Sequence, residues 1–213
     1  MERRKRRNRL ATYRPYNKQR EFHTAGATHR ERLFMAGNQL GKTVAGSNEW
    51  AMHLTGLYPD WWEGRRFSQP VRLWAAGETR VSTRDTVQKL LVGEPEREEE
   101  WGTGAIPGDL LLDWSRATGV PNALDSVTAK HVTGGASTLL FKAYEQGRAK
   151  WQGDTLHGVW FDEEPPLDIY TEGLTRTNAT DGIAMLTFTP LKGMSEVVRM
   201  FLSDEDLGAL RKA

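Results

Sequence analysis

The chain has 213 residues, of which 38% are hydrophobic and 27% are charged, and it contains no cysteine. This length suits one domain with a sizeable core, and the lack of cysteine excludes disulfides, thiol chemistry and cysteine-ligated metals. No apolar run approaches the roughly 18 residues that a membrane span needs, and the basic start leads into a polar segment rather than the apolar region of a signal peptide. The five histidines show no metal-ligand spacing, so each is expected to be solvated or hydrogen-bonded in the core. We therefore expect a cytoplasmic globular domain that does not cross a membrane.

The charge is unevenly distributed along the chain. Residues 1–20 hold nine Lys and Arg against one Glu, whereas the remainder holds 20 basic and 27 acidic residues. The run RRKRRNR (residues 3–9) could neutralise the phosphates of a nucleic acid, or it could be a solvated tail. The residue types leave both interpretations open. We divide the chain into a basic N-terminal arm (residues 1–12) and one domain (residues 13–213).

Apolar runs alternate with helix-like segments after the arm. The pattern predicts strands at residues 32–36, 71–76, 156–161 and 183–189, and helices at residues 42–54, 79–92, 166–176 and 195–202. A hairpin is predicted from residues 126–133 and 137–143, with Gly134 and Gly135 in its turn. Strands that alternate with helices imply a mostly parallel central sheet flanked by helices, which is the α/β class.

A glycine-rich turn between the first strand and its helix has the residues of a phosphate-binding loop. Such a loop needs converging backbone amides, a lysine for the β and γ phosphates, and a hydroxyl for magnesium, and AGNQLGKT (residues 36–43) supplies them. The usual pattern has four residues between its two glycines, whereas Ala36 stands here in place of the first glycine and Gly37 follows it. Nucleotide contacts are expected from Gly37, Asn38, Gln39, Leu40, Gly41, Lys42, Thr43 and Val44, and Thr43 is also a candidate magnesium ligand.

Two adjacent carboxylates follow the apolar strand near residue 160. In GVWFDEE (residues 158–164), Asp162 is placed to hold magnesium, directly or through water, and Glu163 to orient and deprotonate an attacking water. The plainer alternative is a solvated acidic turn. The position of this pair, more than a hundred residues after Lys42 and with a strand between, favours the catalytic interpretation.

Two weaker motifs accompany these. Thr187 and Thr189 in TFTP lie on the same side of the last strand and could both face a γ phosphate, although threonine is also an ordinary strand residue. Gln19 in YRPYNKQR (residues 13–20) has an amide that can both donate to and accept from adenine. A packing role for that segment explains the residue types equally well.

Taken in order, YRPYNKQR, AGNQLGKT, GVWFDEE and TFTP resemble the ATPase domain of phage terminase large subunits, especially those of the headful-packaging type. The resemblance extends over residues 13–201 and implies a P-loop ATPase of the ASCE/RecA-like kind. By that likeness the motifs are an adenine-binding Q motif with Gln19, Walker A with Lys42 and Thr43, Walker B with Asp162 and Glu163, and a coupling motif with Thr187 and Thr189.

The resemblance also implies a function and its partners. It implies hydrolysis of ATP with Mg²⁺ to translocate double-stranded DNA into a viral procapsid, in the host cytoplasm. The implied partners are the portal protein, the small terminase subunit and further copies in a ring, with a monomer expected in isolation. Two alternatives stay open: a superfamily 2 helicase-like DNA-dependent ATPase, for which the chain has no room for a second RecA-like domain, and a non-hydrolysing nucleotide-binding DNA adaptor, which would not need Glu163.

The chain departs from the family pattern in two respects. Many terminases carry an arginine inside the Walker A loop and another shortly before Walker B, whereas this loop has Gln39 and Leu40. In GRAKWQG (residues 147–153), Arg148 is the candidate arginine finger and Lys150 the second choice, the alternative being a solvent-facing arginine. Such enzymes normally continue into an RNase H-like nuclease, so the end at Ala213 predicts the motor domain alone.

Overall fold

A seven-stranded sheet forms the centre of the protein. The structure, a computed structural model, describes residues 7–37, 39–189 and 195–202. The strands are β1 (Glu31–Met35), β2 (Arg72–Gly77), β3 (Leu111–Arg116), β4 (Leu124–Lys130), β5 (Ala136–Ala143), β6 (Gly158–Asp162) and β7 (Ile183–Phe188). Their order is β1-β7-β6-β2-β5-β4-β3, in which the pairs from β1 to β5 are parallel and the last two are antiparallel. The predicted α/β class with a mostly parallel sheet is confirmed.

Helices precede, connect and follow the strands of the sheet. They are α1 (Asn17–Ala25), α2 (Lys42–Thr55), α3 (Arg80–Thr83), α4 (Lys89–Leu91), α5 (Leu167–Arg176) and α6 (Glu196–Phe201), and a π-helical turn (Arg84–Gln88) joins α3 to α4. Short 3-10 turns occur at Leu10–Thr12, Glu98–Glu100, Tyr144–Gln146, Arg148–Trp151 and Asn178–Thr180. Within the described ranges, no helix is both long enough and apolar enough to span a bilayer.

Two hydrophobic clusters cover the opposite faces of the sheet. In β6, Trp160 belongs to the cluster that contains residues of α2, whereas Val159 and Phe161 belong to the cluster that contains residues of α5. Since successive strand residues point to opposite faces, β6 is covered on both sides. All residues of β6 and β7 are buried. Their continuous apolar runs are typical of parallel strands between two layers of helices.

The predicted strands, the hairpin and the four predicted helices are present, with boundaries that differ by up to three residues, the largest difference being the end of the first hairpin strand. The helix predicted over residues 79–92 contains the π-helical turn. Helix α1 and strand β3 are not predicted by the sequence pattern. Among the buried side chains of α1 are the polar Gln19 and His23, and β3 is largely exposed at the edge of the sheet. Neither segment therefore has the apolar period that identifies a helix or a strand.

The end of the predicted basic arm packs on the domain. The backbone N–H of Gly108 donates to the Arg7 carbonyl (2.9 Å), and Leu10 is buried in the core. Residues 1–6, which carry most of the basic run, lie outside the described residues. The arm therefore has a packed part, at residues 7–12, next to the domain.

A buried charged cluster joins α1, β1 and α2. The Glu49 carboxylate accepts hydrogen bonds from His23 Nδ1 (2.7 Å) and His53 Nε2 (3.3 Å). The Arg32 guanidinium donates to both carboxylate oxygens of Glu49 at 2.5 and 3.2 Å. The other ring nitrogen of each histidine lies 3.0 Å from a tyrosine hydroxyl. Both nitrogens of each ring are therefore within hydrogen-bonding distance of a buried partner.

The ionisation of this cluster depends on its partners. Burial alone would raise the pKa of the Glu49 carboxyl, but the Arg32 guanidinium and the hydrogen bonds from the histidines outweigh burial and hold this pKa well below its ordinary value. Burial lowers the pKa of His53, and the neighbouring Glu49 only partly offsets it. Burial also lowers the pKa of His131 and of His157. The folded protein is thus adapted to an ionised Glu49 beside an uncharged His53.

We predict that His53 makes the free energy of unfolding fall as the pH is lowered from about 8 to about 5. The Asp162 carboxyl, whose pKa burial raises to about 7, acts in the opposite direction over the same range, so the His53 contribution is measured as a difference between variants. Below the ordinary histidine pKa of about 6.5 the unfolded chain takes up protons that the folded protein does not, so folding weakens. The contribution of Glu49 is present above the ordinary carboxyl pKa and is lost only at lower pH, as the pH falls through its depressed folded value. Urea unfolding measured across this pH range tests the prediction.

The matched variants are His53→Gln and His29→Gln, because His53 is buried and His29 is exposed. The first should remove the loss of stability that His53 causes at lower pH, and the second should leave the pH dependence of the parent protein unchanged. The same pH dependence in His53→Gln and in the parent protein would contradict the uncharged state of His53.

Candidate nucleotide site

The candidate site lies where the parallel strands end. Because β1, β7, β6, β2 and β5 run in the same direction, the loops that follow them meet at one edge of the sheet. The loop after β1 is the predicted phosphate-binding loop, β6 ends at Asp162, and Thr189 follows β7 directly. The topology therefore brings motifs that are far apart in the chain to the same edge.

The phosphate-binding loop leads directly into α2. Gly41 adopts a left-handed conformation (φ +69°) just before α2 begins at Lys42. A Cβ atom on Gly41 would lie 2.9 Å from Gln19 Nε2, so both the backbone and the available space require glycine. The first N–H groups of α2 and the positive end of its dipole favour a phosphate at this end of the helix. Gln39 is also left-handed (φ +59°), and Asn38 lies outside the described residues.

The Lys42 ammonium connects the loop to the end of β7. Its Nζ donates to the Gly37 carbonyl (2.7 Å) and to Thr189 Oγ1 (3.0 Å). The lysine is 7% exposed. Since an ammonium has three donors, two of them are bonded to the protein here. Phosphate oxygens would replace these two acceptors when a nucleotide binds.

The Asp162 carboxylate connects three of the motifs. Its Oδ1 accepts hydrogen bonds from Thr43 Oγ1 (3.0 Å), at the start of α2, and from Thr187 Oγ1 (2.8 Å), in β7. Burial raises the pKa of Asp162 to about 7, although both hydroxyls oppose that rise. A hydroxyl beside a desolvated carboxylate is a pair of hard oxygen ligands, which is the set that Mg²⁺ prefers. Thr43 and Asp162 therefore fit the metal role predicted for them.

Glu163 follows Asp162 in a strained backbone conformation. Its φ is +69°, which costs a residue other than glycine roughly 1–3 kcal/mol. Its backbone N–H donates to the Thr187 carbonyl (3.0 Å), and its carbonyl accepts from the Tyr144 hydroxyl (2.7 Å). The side chain is exposed at the end of β6. Backbone strain of this kind is concentrated at functional sites.

Gln19 contacts the phosphate-binding loop itself. Its Nε2 donates to the Gly41 carbonyl (2.8 Å), and its Oε1 accepts from the Tyr16 backbone N–H (3.2 Å). The Tyr16 hydroxyl donates to the Leu40 carbonyl. The buried amide of Gln19 thus holds α1 against the loop, which is a packing role of the kind that the sequence left open beside adenine binding. Each end of the amide keeps one hydrogen-bonding position. Leu40 and Val44 are 52% and 39% exposed beside the same loop.

Arg148 lies on the 3-10 turn that follows β5. Its Nε donates to Glu172 Oε2 (2.9 Å) on α5, and its side chain is 60% exposed. Lys150, on the same turn, accepts a hydrogen bond at its backbone carbonyl from Lys142 Nζ (2.9 Å). Arg148 therefore forms an ion pair with α5. The other predicted residues form two bonded groups at the sheet edge: Lys42 with Thr189, and Asp162 with Thr43 and Thr187.

Two aromatic residues complete the site without having been predicted. Trp160 Nε1 donates to Thr187 Oγ1 (2.7 Å), and its ring packs so closely under α2 that a Cβ on Gly46 would lie 2.5 Å from it. The Tyr144 hydroxyl donates to the carbonyls of Asp162 (3.0 Å) and Glu163 (2.7 Å). Trp160 stands inside the GVWFDEE motif, which is the one signal that could have identified it. Tyr144 has no comparable signal, because its role depends on a contact across the sheet.

These features together define a P-loop nucleotide-binding fold. The family model for the N-terminal region of the terminase large subunit, T4likevirus-type, matches residues 33–209. The chain therefore belongs to the terminase large subunit family, as the resemblance of its motifs implies. The match includes the phosphate-binding loop, the Asp162–Glu163 pair and the end of β7.

Two curated relatives of the chain are also terminase large subunits. The chain is 49% identical over 212 residues to the terminase large subunit of Salmonella phage P22, an alignment that covers 92% of this chain and 42% of that protein. It is 29% identical over 211 residues to the terminase large subunit of Enterobacteria phage LP7, covering 92% of this chain and 44% of the relative. The chain thus spans less than half the length of these relatives.

Solved structures with low sequence identity share the fold. The HK97 bacteriophage large terminase matches with a TM-score of 0.57 at 13% identity, over 93% of this chain and 38% of that one. A large terminase from a thermophilic bacteriophage, in complex with ADP, matches with a TM-score of 0.51 at 14% identity, over 93% of this chain and 50% of that one. At such identities the likeness supports the fold alone.

We predict that Thr187→Val lowers the free energy of unfolding by about 1–3 kcal/mol, because it leaves the buried Trp160 Nε1–H without its acceptor. Thr187→Ser keeps the hydroxyl and should recover most of that loss. Thr175→Val is the matched control, since the Thr175 hydroxyl bonds to a backbone carbonyl on an exposed helix face. The control should change stability by about 0.5 kcal/mol or less. Equal stability of Thr187→Val and the parent protein, measured by urea unfolding, would contradict the role of this hydroxyl.

Proposed function

We propose that this chain binds ATP with Mg²⁺ and hydrolyses it to drive double-stranded DNA into a viral procapsid. The observation that carries the proposal is the bonded set at one sheet edge: Thr43 and Thr187 on the Asp162 carboxylate, with Lys42 on Thr189. Two relatives are named terminase large subunit, and one similar structure is a complex with ADP. Both facts support a nucleotide-driven packaging role for this chain.

In the proposed binding step, Lys42 exchanges two protein acceptors for phosphate oxygens. The backbone N–H groups of the loop and of the start of α2 surround the phosphates. Thr43 and Asp162 would hold Mg²⁺, which would supply positive charge beside the phosphates. The exchange releases Thr189 from Lys42. Nucleotide binding therefore changes the hydrogen bonding at the end of β7, which is how we propose that Thr187 and Thr189 couple the site to movement.

In the proposed chemical step, Glu163 accepts a proton from the attacking water. The water oxygen bonds to the γ phosphorus as the bond from that phosphorus to the bridging oxygen of ADP breaks, and phosphate leaves. The Glu163 side chain is exposed at the strand end, next to the buried Asp162. The two carboxylates thus have different roles because they have different surroundings.

We propose that Arg148 acts on the site of a neighbouring subunit, where it supplies positive charge to the transition state in addition to Lys42 and magnesium. The Walker A loop carries no arginine, and Arg148 is 60% exposed, so a second copy could reach it. The ion pair with Glu172 holds the turn that carries Arg148 against α5. Lys150 on the same turn is the alternative.

The proposed assembly follows from family membership. We propose a homo-oligomeric ring that acts with the portal protein and the small terminase subunit in the host cytoplasm, from a chain that is monomeric in isolation. The basic arm (residues 1–12) is proposed to contact DNA phosphates. Residues 13–213 are proposed as the motor domain.

We predict that Lys42→Ala abolishes detectable ATP hydrolysis, because it removes the ammonium assigned to the β and γ phosphates. Phosphate release should be measured at steady state with and without double-stranded DNA, beside the affinity for a fluorescent ATP analogue. Lys18→Ala is the control, since Lys18 forms an exposed ion pair with Glu21. Unchanged nucleotide affinity together with unchanged turnover in Lys42→Ala would remove the phosphate-binding assignment.

We predict that Glu163→Gln keeps ATP and magnesium affinity while lowering turnover by roughly a hundredfold or more, the scale expected for a lost general base. Asp162→Asn should instead weaken magnesium-dependent nucleotide binding. Titration with the ATP analogue at several magnesium concentrations separates the two effects. Exchanged phenotypes would show that the roles of the two carboxylates are reversed.

We predict that Arg148→Ala binds ATP normally and hydrolyses it roughly a thousandfold more slowly. Mixing it with Glu163→Gln should restore part of the turnover, because each variant supplies the group that the other lacks. Arg176→Ala is the control, since Arg176 is the other partner of Glu172 (3.0 Å). Loss without recovery in mixtures would indicate an arginine acting within its own subunit, and no loss would move the assignment to Lys150.

A further inference from the structure

Both peptide groups that flank the Glu163 Cα are held by hydrogen bonds. The peptide before it donates through the Glu163 N–H to the Thr187 carbonyl (3.0 Å) and accepts through the Asp162 carbonyl. The peptide after it accepts through the Glu163 carbonyl. The left-handed conformation at Glu163 (φ +69°) is therefore determined by bonds to its neighbours rather than by its own preference.

One hydroxyl supplies two of these bonds. The Tyr144 hydroxyl lies 3.0 Å from the Asp162 carbonyl and 2.7 Å from the Glu163 carbonyl, and its single proton is shared between them in a three-centre hydrogen bond. Two carbonyls on either side of one Cα converge on a single hydroxyl only over a narrow range of φ and ψ at that residue. The hydroxyl thus selects the backbone conformation that directs the Glu163 carboxylate out of the strand end.

Tyr144 is itself held rigidly. It is 6% exposed, at the end of β5, and its ring packs against Phe161 in β6 and Trp151 in the following turn. Trp151 in turn stacks on Phe161 with an interplanar angle of 7°. Burial and the nearby carboxylates Asp162 and Glu163 raise the pKa of Tyr144 well above its ordinary value. The hydroxyl therefore stays a proton donor at neutral pH.

We propose that Tyr144 is a positioning residue for the attacking water, acting through the backbone of Glu163. This inference rests on the proposed ATPase function, with Glu163 as the base. Without the hydroxyl, the two peptides that flank Glu163 can rotate towards the ordinary negative φ, and the carboxylate moves away from the water. Because Thr43 and Thr187 hold the Asp162 carboxylate independently of Tyr144, nucleotide affinity is not expected to change.

The test compares Tyr144→Phe with Tyr170→Phe in the full chain. Both changes remove a buried tyrosine hydroxyl whose ring packs against Phe161, but the Tyr170 hydroxyl donates to Glu31 rather than to the Asp162–Glu163 turn. We expect Tyr144→Phe to lower kcat roughly tenfold to a hundredfold, the effect of misplacing a catalytic group by about 1 Å, with KM for ATP and analogue affinity within about twofold. Tyr170→Phe should keep kcat within about twofold while losing similar stability. A kcat in Tyr144→Phe equal to that of Tyr170→Phe would overturn the proposal.

A double variant separates positioning from general destabilisation. If Tyr144 acts only through Glu163, adding Tyr144→Phe to Glu163→Gln should lower kcat no further, whereas an independent structural effect would multiply with it. A full additional loss in the double variant would overturn the proposal. Unchanged turnover in Glu163→Gln alone would overturn the ATPase assignment on which the proposal rests. A large loss in Glu163→Gln with none in Tyr144→Phe would overturn the role of Tyr144 alone.

Discussion

The buried Asp162 carboxylate is the group on which the rest of the candidate site depends. It ends a strand that is buried on both faces, and it receives hydroxyl hydrogen bonds from the first turn of α2 and from β7. A buried carboxylate cannot exchange such bonds for water without cost, so both donors must be held by rigid elements. The sheet order β7-β6-β2 and the packing of Trp160 under α2 meet this requirement.

Hydrogen bonds between buried polar groups also position α1, the helix before the phosphate-binding loop. Gln19 and His23 are four residues apart and so lie on one face of α1. Gln19 bonds to the Gly41 carbonyl, and His23 bonds to Glu49 two turns further along α2. The buried Arg32–Glu49 pair belongs to the same cluster and therefore also helps to set where α1 meets the loop. Removal of either charge would leave the other buried without its partner, at a cost of about 3–5 kcal/mol.

The lysine connects nucleotide binding to the strand that follows Walker B. Lys42 bonds to Thr189, and Thr187, two residues earlier, bonds to Asp162. The Thr187 carbonyl also accepts from the Glu163 N–H. These hydrogen bonds connect the Lys42 ammonium, the end of β7 and the backbone of the proposed base.

The sequence by itself determined the α/β class, the loop ending in Lys42 and Thr43 and the Asp162–Glu163 pair, because apolar periods and motif spacing are local properties of the chain. The sequence did not predict α1 or the edge strand β3. Polar residues occupy buried positions of α1, and β3 has few buried positions. Only the tertiary structure decided that Gln19 contacts the loop, that Arg148 pairs with α5 and that Tyr144 bonds to the Glu163 turn. Each of these roles depends on a partner at least 19 residues away in the chain, as between Tyr144 and Glu163. Such polar contacts leave no periodic pattern in the sequence, so they can be identified only in the folded structure, where the strands are paired.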